Sequence, residues 1–284
     1  MSLVGCFVTP HPPIIVPEVG GRELARVEAT VEAMRLLGGA AAGLDPDSIV
    51  VMSPHAPLAR GEMGISVGSD YRGSFAAFRA PLVRLAAPVD RDLAQAIVEK
   101  ASVEGVPVTL FETRAETVEL DHGAMVPLFY ATQGLKRPWR LLVLSFSYLD
   151  LETHVRFGRA LAYAMEESPS RILYIASGDL SHRLIPGAPA GHDPRGAEFD
   201  GAIADTFARG DWKGMLSLDG GMVRAAGECG YRSLAVLAGI VQALGASGRT
   251  TQNHLLSYEG PFGVGYLVGE VKIGPGKSDS GGGK

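Results

Sequence analysis

Three short apolar runs in this chain each stop at a histidine. Residues 3–8 lead into Thr9-Pro10-His11-Pro12-Pro13, and residues 49–52 into Ser53-Pro54-His55-Ala56-Pro57. Residues 172–176 lead into Ser177-Gly178-Asp179-Leu180-Ser181-His182. Short runs rich in β-branched and aromatic residues, bounded by turn formers, read as buried strands. The prolines end the first two, because proline cannot donate to a sheet ladder. Open α/β sheets bind ligands off the carboxyl ends of their strands. A lone histidine beside proline is ordinarily a loop residue bonded to backbone. Repetition at three strand ends points instead to one metal or catalytic centre.

The rest of the chain alternates helix and strand. The apolar stripe of Leu24, Val27, Val31 and Met34 predicts a helix over 22–37, stopped by Gly38-Gly39. Residues 61–78 read as a hairpin or an edge excursion, and 106–111 as a strand. Asp90, Asp121 and Asp150 are placed as helix N-caps, the second with His122 in the first turn. Residues 141–146 form an apolar strand, Asp193-Pro194 opens a helix, 233–244 is the most apolar helix, and 264–271 is a final strand. The expected fold is a single α/β domain over residues 1–273, a central mostly parallel (mixed) sheet flanked by helices. The Gly/Ser/Lys-rich stretch 274–284 is expected to be a disordered tail.

Composition narrows the function. A net charge of −5 without a Lys/Arg cluster argues against a nucleic-acid surface. No apolar run approaches the ~20 residues a membrane helix needs, and no basic-then-apolar leader opens the chain. The two cysteines, Cys6 and Cys229, make no disulfide framework, so a reducing, cytoplasmic setting is expected. Cys6 lies inside the first strand and reads as a small buried hydrophobe.

Imidazoles alone do not complete a metal site. A two-histidine, one-carboxylate triad leaves open positions on Fe(II) for substrate and dioxygen. His11 and His55 would supply the nitrogens and Glu228 the carboxylate, although an acidic residue before a helix is ordinarily a cap. Cys229 is a rival third ligand, since thiolate suits borderline metals. His182 would then be free as an acid–base group. Asp179 reads as a capping residue, His154 and His192 as surface residues, and His254 as a residue preceding the last strand. Ser181-His182 lacks a nucleophile elbow, and Gly263-x-Gly265 lacks the rest of a dinucleotide loop.

Thr9-Pro10-His11-Pro12, Ser53-Pro54-His55-Ala56-Pro57, Asp121-His122-Gly123, Gly178-Asp179-Leu180-Ser181-His182 and Gly227-Glu228-Cys229-Gly230-Tyr231-Arg232 together resemble the class III extradiol ring-cleavage dioxygenase (LigB-like) superfamily. That superfamily also contains Memo-like proteins. The resemblance runs from Val4 to about Gly269. It implies Fe(II) held by His11, His55 and Glu228, with His182 as second-sphere acid–base residue and His122 positioning substrate. The implied reaction is opening of a small catechol-type aromatic ring by O2 beside the diol, with a homo-oligomer or a small companion subunit closing the site. Memo-like members carry a Cys-Gly pair like Cys229-Gly230, which implies the alternative: a metal-binding or partner-binding protein without ring cleavage, holding zinc or copper. A zinc hydrolase on the same scaffold is a third possibility. The Glu-Cys-Gly-Tyr-Arg form also resembles LigB-like proteins joined to an AMMECR1-type domain.

Overall fold

The structure is a computed structural model that describes residues 2–112 and 116–276. In chain order its elements are β1 (Leu3–Thr9), α1 (Pro17–Gly20), α2 (Glu28–Leu44), β2 (Ser48–Met52), β3 (Met63–Val67), β4 (Asp70–Phe75), β5 (Ala80–Pro88), α3 (Arg91–Val103), β6 (Val108–Glu112) and β7 (Thr117–Glu119). There follow α4 (His122–Ala131), β8 (Arg140–Ser145), α5 (Leu151–Glu167), β9 (Ile172–Ser177), α6 (Arg195–Arg209), α7 (Trp212–Leu216), α8 (Gly220–Ala226), α9 (Tyr231–Ala246), β10 (Arg249–Glu259) and β11 (Tyr266–Gly276).

Eight strands form one mixed sheet in the order β10-β11-β1-β9-β2-β8-β3-β6. The four at its centre, β1, β9, β2 and β8, are mutually parallel and almost wholly buried. Their apolar runs face helices on both sides, which is why they show no polar alternation. Helices α2 and α4 pack together on one face, and α3, α5 and α9 on the other. Strands β5, β4 and β7 make a separate three-stranded sheet. Asp90, Asp121 and Asp150 cap their helices as expected, each accepting a backbone N–H.

Helices α5 and α9 cross at a glycine contact. A Cβ on Gly239 would overlap the Val155 carbonyl oxygen and lie 3.0 Å from Gly158 Cα. Alanine is the better helix former by about 1 kcal/mol, but a backbone oxygen cannot move aside as a side chain can. Gly239→Ala should therefore lower stability by about 1–3 kcal/mol, read as a lower denaturant midpoint at unchanged m-value.

Several boundaries differ from the sequence reading. Residues 21–26 are a 3-10 segment, and α2 begins only at Glu28. It continues through Gly38-Gly39, because Gly38 serves packing: a Cβ there would sit 2.7 Å from the Tyr130 carbonyl oxygen of α4. Residues 63–67 are no excursion, since β3 pairs with β8 and β6 inside the main sheet. The last strand runs to Gly276, three residues past the expected domain end, and residues 277–284 of the expected tail lie outside the described residues. His154 is not a surface residue but fully buried in α5, where its Nδ1 bonds the Asp150 carbonyl and Nε2 accepts the Ser147 N–H. His192 is exposed, and His254 lies within β10. Cys6 is fully buried. Among the described residues, no helix is long and apolar enough to cross a membrane.

Candidate metal centre

Because β1, β9 and β2 are parallel neighbours, their carboxyl ends lie side by side. The loops leaving them bring His11, His182 and His55 to one rim. His11 and His55 meet edge to face, with ring centroids 4.9 Å apart and Nε2 atoms 3.1 Å apart. His122, from the first turn of α4, adds a third ring, 4.1 Å from His55 and 5.5 Å from His11 between centroids. Asp121 places it. One carboxylate oxygen accepts both the Ala124 N–H that begins α4 and the Ser53 hydroxyl, the latter at 2.6 Å. Ser53 in turn accepts the His55 N–H. Any side chain on Gly123 would overlap Ser53 Oγ, so helix and loop close on each other without one.

The other wall comes from residues 178–182 and 228–230. Gly178 and Gly230 pass backbone against backbone, and their neighbours bond reciprocally: Cys229 N–H donates to the Asp179 carbonyl, and Asp179 N–H donates to Cys229 Sγ, each at 3.3 Å. Cys229 Sγ then stands 3.8 Å from both His11 Nε2 and His182 Nε2. Asp179 does not cap a helix; its Oδ1 accepts the His11 N–H at 3.0 Å, and its Oδ2 lies 3.8 Å from His11 Nε2 and 3.9 Å from His182 Nε2. Glu228 is turned elsewhere. Its Oε2 accepts the Tyr231 N–H at 2.6 Å, serving an orphan donor of α9's first turn. Of the expected donors, His11, His55, His122, His182 and Cys229 therefore line one rim, and the Glu228 carboxylate is engaged outside it. Asp179 is the donor that sequence reasoning missed; its place in the strand-end Ser-Gly-Asp-Leu-Ser-His run was the available signal.

Burial shapes the charges. It holds the His11 ring well below the usual imidazole range, helped by His55 and His122, and lowers His122 and His182 in the same direction. Burial also lifts the Asp179 carboxyl to about 6, and with Asp179 alongside it pushes the Cys229 thiol up. Neutral imidazoles are the form that binds metal, and a coordinated cation deprotonates a thiol that burial alone keeps protonated. Among the described residues, two tight donor groups share His11: His11–His55–His122 and His11–Asp179–Cys229, each with ligand atoms within 4.8 Å of one another. The 3.1 Å between two ring nitrogens is the spacing expected when both lie about 2.0–2.1 Å from one ion. The residues fit a metal. His55 is exposed and His122 and His182 half-buried, so the centre opens to solvent.

His182 is held from behind. Ser181 N–H donates to buried Asp200 at 2.7 Å, and the second Asp200 oxygen accepts the Tyr258 hydroxyl. Burial raises Asp200 to about 6. Between its ordinary value and 6 the folded protein keeps a proton that the unfolded chain has released, so this group's contribution falls as pH rises. Above 6 the penalty is constant, on the order of 2–3 kcal/mol. Asp200→Asn should accordingly match the parent near pH 4 and gain relative stability up to about pH 6.5, measured by denaturant midpoints of metal-free protein across that range.

Comparison with known proteins identifies the family. The family described as "Catalytic LigB subunit of aromatic ring-opening dioxygenase" matches residues 5–269. The chain belongs to the LigB family. A Clostridium acetobutylicum relative, "Protein CA_C1420", is 36% identical over 94% of this chain and 57% of its own length. A "MEMO1 family protein" of Methanosarcina mazei is 28% identical over 46% of this chain and 45% of its own length. The LigB chain thus spans about half the length of these curated relatives. Among solved structures, "uncharacterized protein JW3007" from Escherichia coli K12 superposes with a TM-score of 0.62, at 18% identity, covering 94% of this chain and 99% of that one. It shares the single-domain α/β fold with the large mixed sheet.

Proposed function

We propose that this LigB-family chain is a Memo-like metal protein, with one ion held by His11, its neighbour His55 from one donor group and Cys229 from the other, the two groups drawing together on the ion, rather than a ring-cleavage enzyme built on Glu228. The observation that supports this is the opposite orientation of two adjacent residues: the Glu228 carboxylate bonds the α9 amide of Tyr231, while Cys229 Sγ stands 3.8 Å from His11 Nε2. The Methanosarcina mazei relative's name agrees with it. When bound, a redox-active ion there would supply electron exchange and open positions for an exogenous ligand. His182, neutral and partly exposed beside Asp179, would take up and return a proton at Nε2. His122 would orient a substrate at the open side. The reading carries a cytoplasmic protein that works on a small molecule, with a second copy or a companion subunit over the open rim.

A second reading keeps ring opening, with Fe(II) held by His11, His55 and Asp179. It is favoured by Asp179 Oδ2, a buried oxygen 3.8 Å from His11 Nε2. Oxygen uptake separates the two. Protein loaded anaerobically with Fe(II) and given protocatechuate, homoprotocatechuate and simple catechols should bind metal but form no yellow ring-opened product. Stoichiometric oxygen consumption with that product would establish the second reading instead.

A further inference from the structure

We propose that Ser177 is a positioning residue for the centre: its hydroxyl, committed to the Gly123 carbonyl, obliges His11 to carry its proton on Nδ1 and to turn a bare Nε2 toward the ion. This rests on the reading of His11 as a ligand.

Ser177 ends β9 and is fully buried. Its Oγ lies 2.6 Å from the Gly123 carbonyl oxygen and 3.1 Å from His11 Nδ1. A carbonyl has no proton to give, so the single hydroxyl proton goes to Gly123. The contact with His11 can then form only if Nδ1 is the donor. An imidazole that ligates a metal carries one N–H, and the fully packed His11 ring has that proton on Nδ1, facing Ser177. Nε2 is therefore the lone-pair nitrogen. It is the atom that faces His55 Nε2, Cys229 Sγ and Asp179 Oδ2 at 3.1, 3.8 and 3.8 Å. With that nitrogen bare, His55 Nε2–H is the donor of this contact in the metal-free protein, and on metal binding the His55 proton moves to its own Nδ1, leaving both Nε2 atoms bare for the ion.

The same hydroxyl does a second thing. Gly123 follows His122 directly, so Ser177 ties the first turn of α4 to the end of β9 and sets His122 against His11. Without the hydroxyl, the buried Nδ1–H has lost its acceptor, which costs free energy. Moving the proton to Nε2, where His55 Nε2 at 3.1 Å can accept it, relieves that cost and blocks the metal. Outer partners of ligating histidines fix tautomer in this way, and losing one typically weakens metal binding about 10–100-fold.

The test uses the full chain with 15N-labelled histidine, the His11 signal being assigned by its loss in His11→Gln. Metal-free wild type should show His11 protonated at Nδ1. Ser177→Ala should shift it toward Nε2–H and weaken Zn(II) binding about 10–100-fold in chelator competition, while Ser177→Thr, which keeps the hydroxyl, should restore most of both. An Nε2–H tautomer in wild type overturns the proposal, and so does equal loss in the alanine and threonine variants. The wild-type measurement decides the matter even where a variant fails to fold. Failure of wild type to bind Zn(II) sinks the metal reading alone, since the tautomer is measured without metal.

Discussion

Cys229→Ser should lose its metal, and Glu228→Gln should keep it. Cys229 presents its sulfur to His11 and His182 and accepts the Asp179 N–H, so exchange for a hydroxyl removes a soft anionic donor without opening a cavity. A serine hydroxyl stays protonated at neutral pH, whereas a thiol beside a cation ionises. The expected loss in Zn(II) or Co(II) affinity exceeds about a hundredfold, beyond the range for outer partners. In the cobalt form the sulfur-to-metal charge-transfer absorption should vanish with it. Glu228→Gln retains an oxygen to accept the Tyr231 N–H, so both the α9 cap and metal affinity should be within about twofold of the parent, under 1 kcal/mol. The contrary pattern, metal lost with Glu228→Gln and kept with Cys229→Ser, returns the carboxylate triad and overturns the Memo-like reading. Asp179→Asn completes the comparison, since only iron held by that carboxylate would depend on it.

The strand-end histidines were legible because the features that define them are local. Proline or glycine stops an apolar run, and the next polar side chain is left at the sheet's rim. Adjacency of β1, β9 and β2 was not local: it depends on β9 inserting between strands that precede it by more than a hundred residues. The N-caps at Asp90, Asp121 and Asp150 were read correctly for the same local reason as the strand ends. Glu228 and Cys229 could not be separated in sequence, because a one-residue difference in direction follows from how α9 begins. The Thr- and Ser-dotted β10 went unread, its polar pattern reflecting an edge position beside β11 rather than a covered strand. Gly38-Gly39 misled because glycine ends helices and also permits close packing, and only the neighbouring α4 shows which.

The largest expected effect on fold and site together is at Gly178. A Cβ there would overlap Gly230 Cα and lie 3.0 Å from Gly230 N and 3.4 Å from the Cys229 carbonyl oxygen. Every atom it meets is backbone, so no side chain can rotate away. Relief requires the 178–179 segment to separate from 229–230, and that separation breaks the two bonds between Asp179 and Cys229. Gly178→Ala should therefore cost about 3 kcal/mol, the upper part of the range for overpacking, and weaken metal binding at the same time. The two effects come from one displacement, and a second variant shows it. Gly239→Ala introduces a comparable backbone clash on the α5–α9 crossing, remote from Asp179 and Cys229, and should lower the denaturant midpoint while leaving Zn(II) affinity within about twofold of the parent, under 1 kcal/mol. Equal affinity loss in both variants would mean that metal binding follows global stability, and that the Gly178–Gly230 contact has no special hold on Cys229.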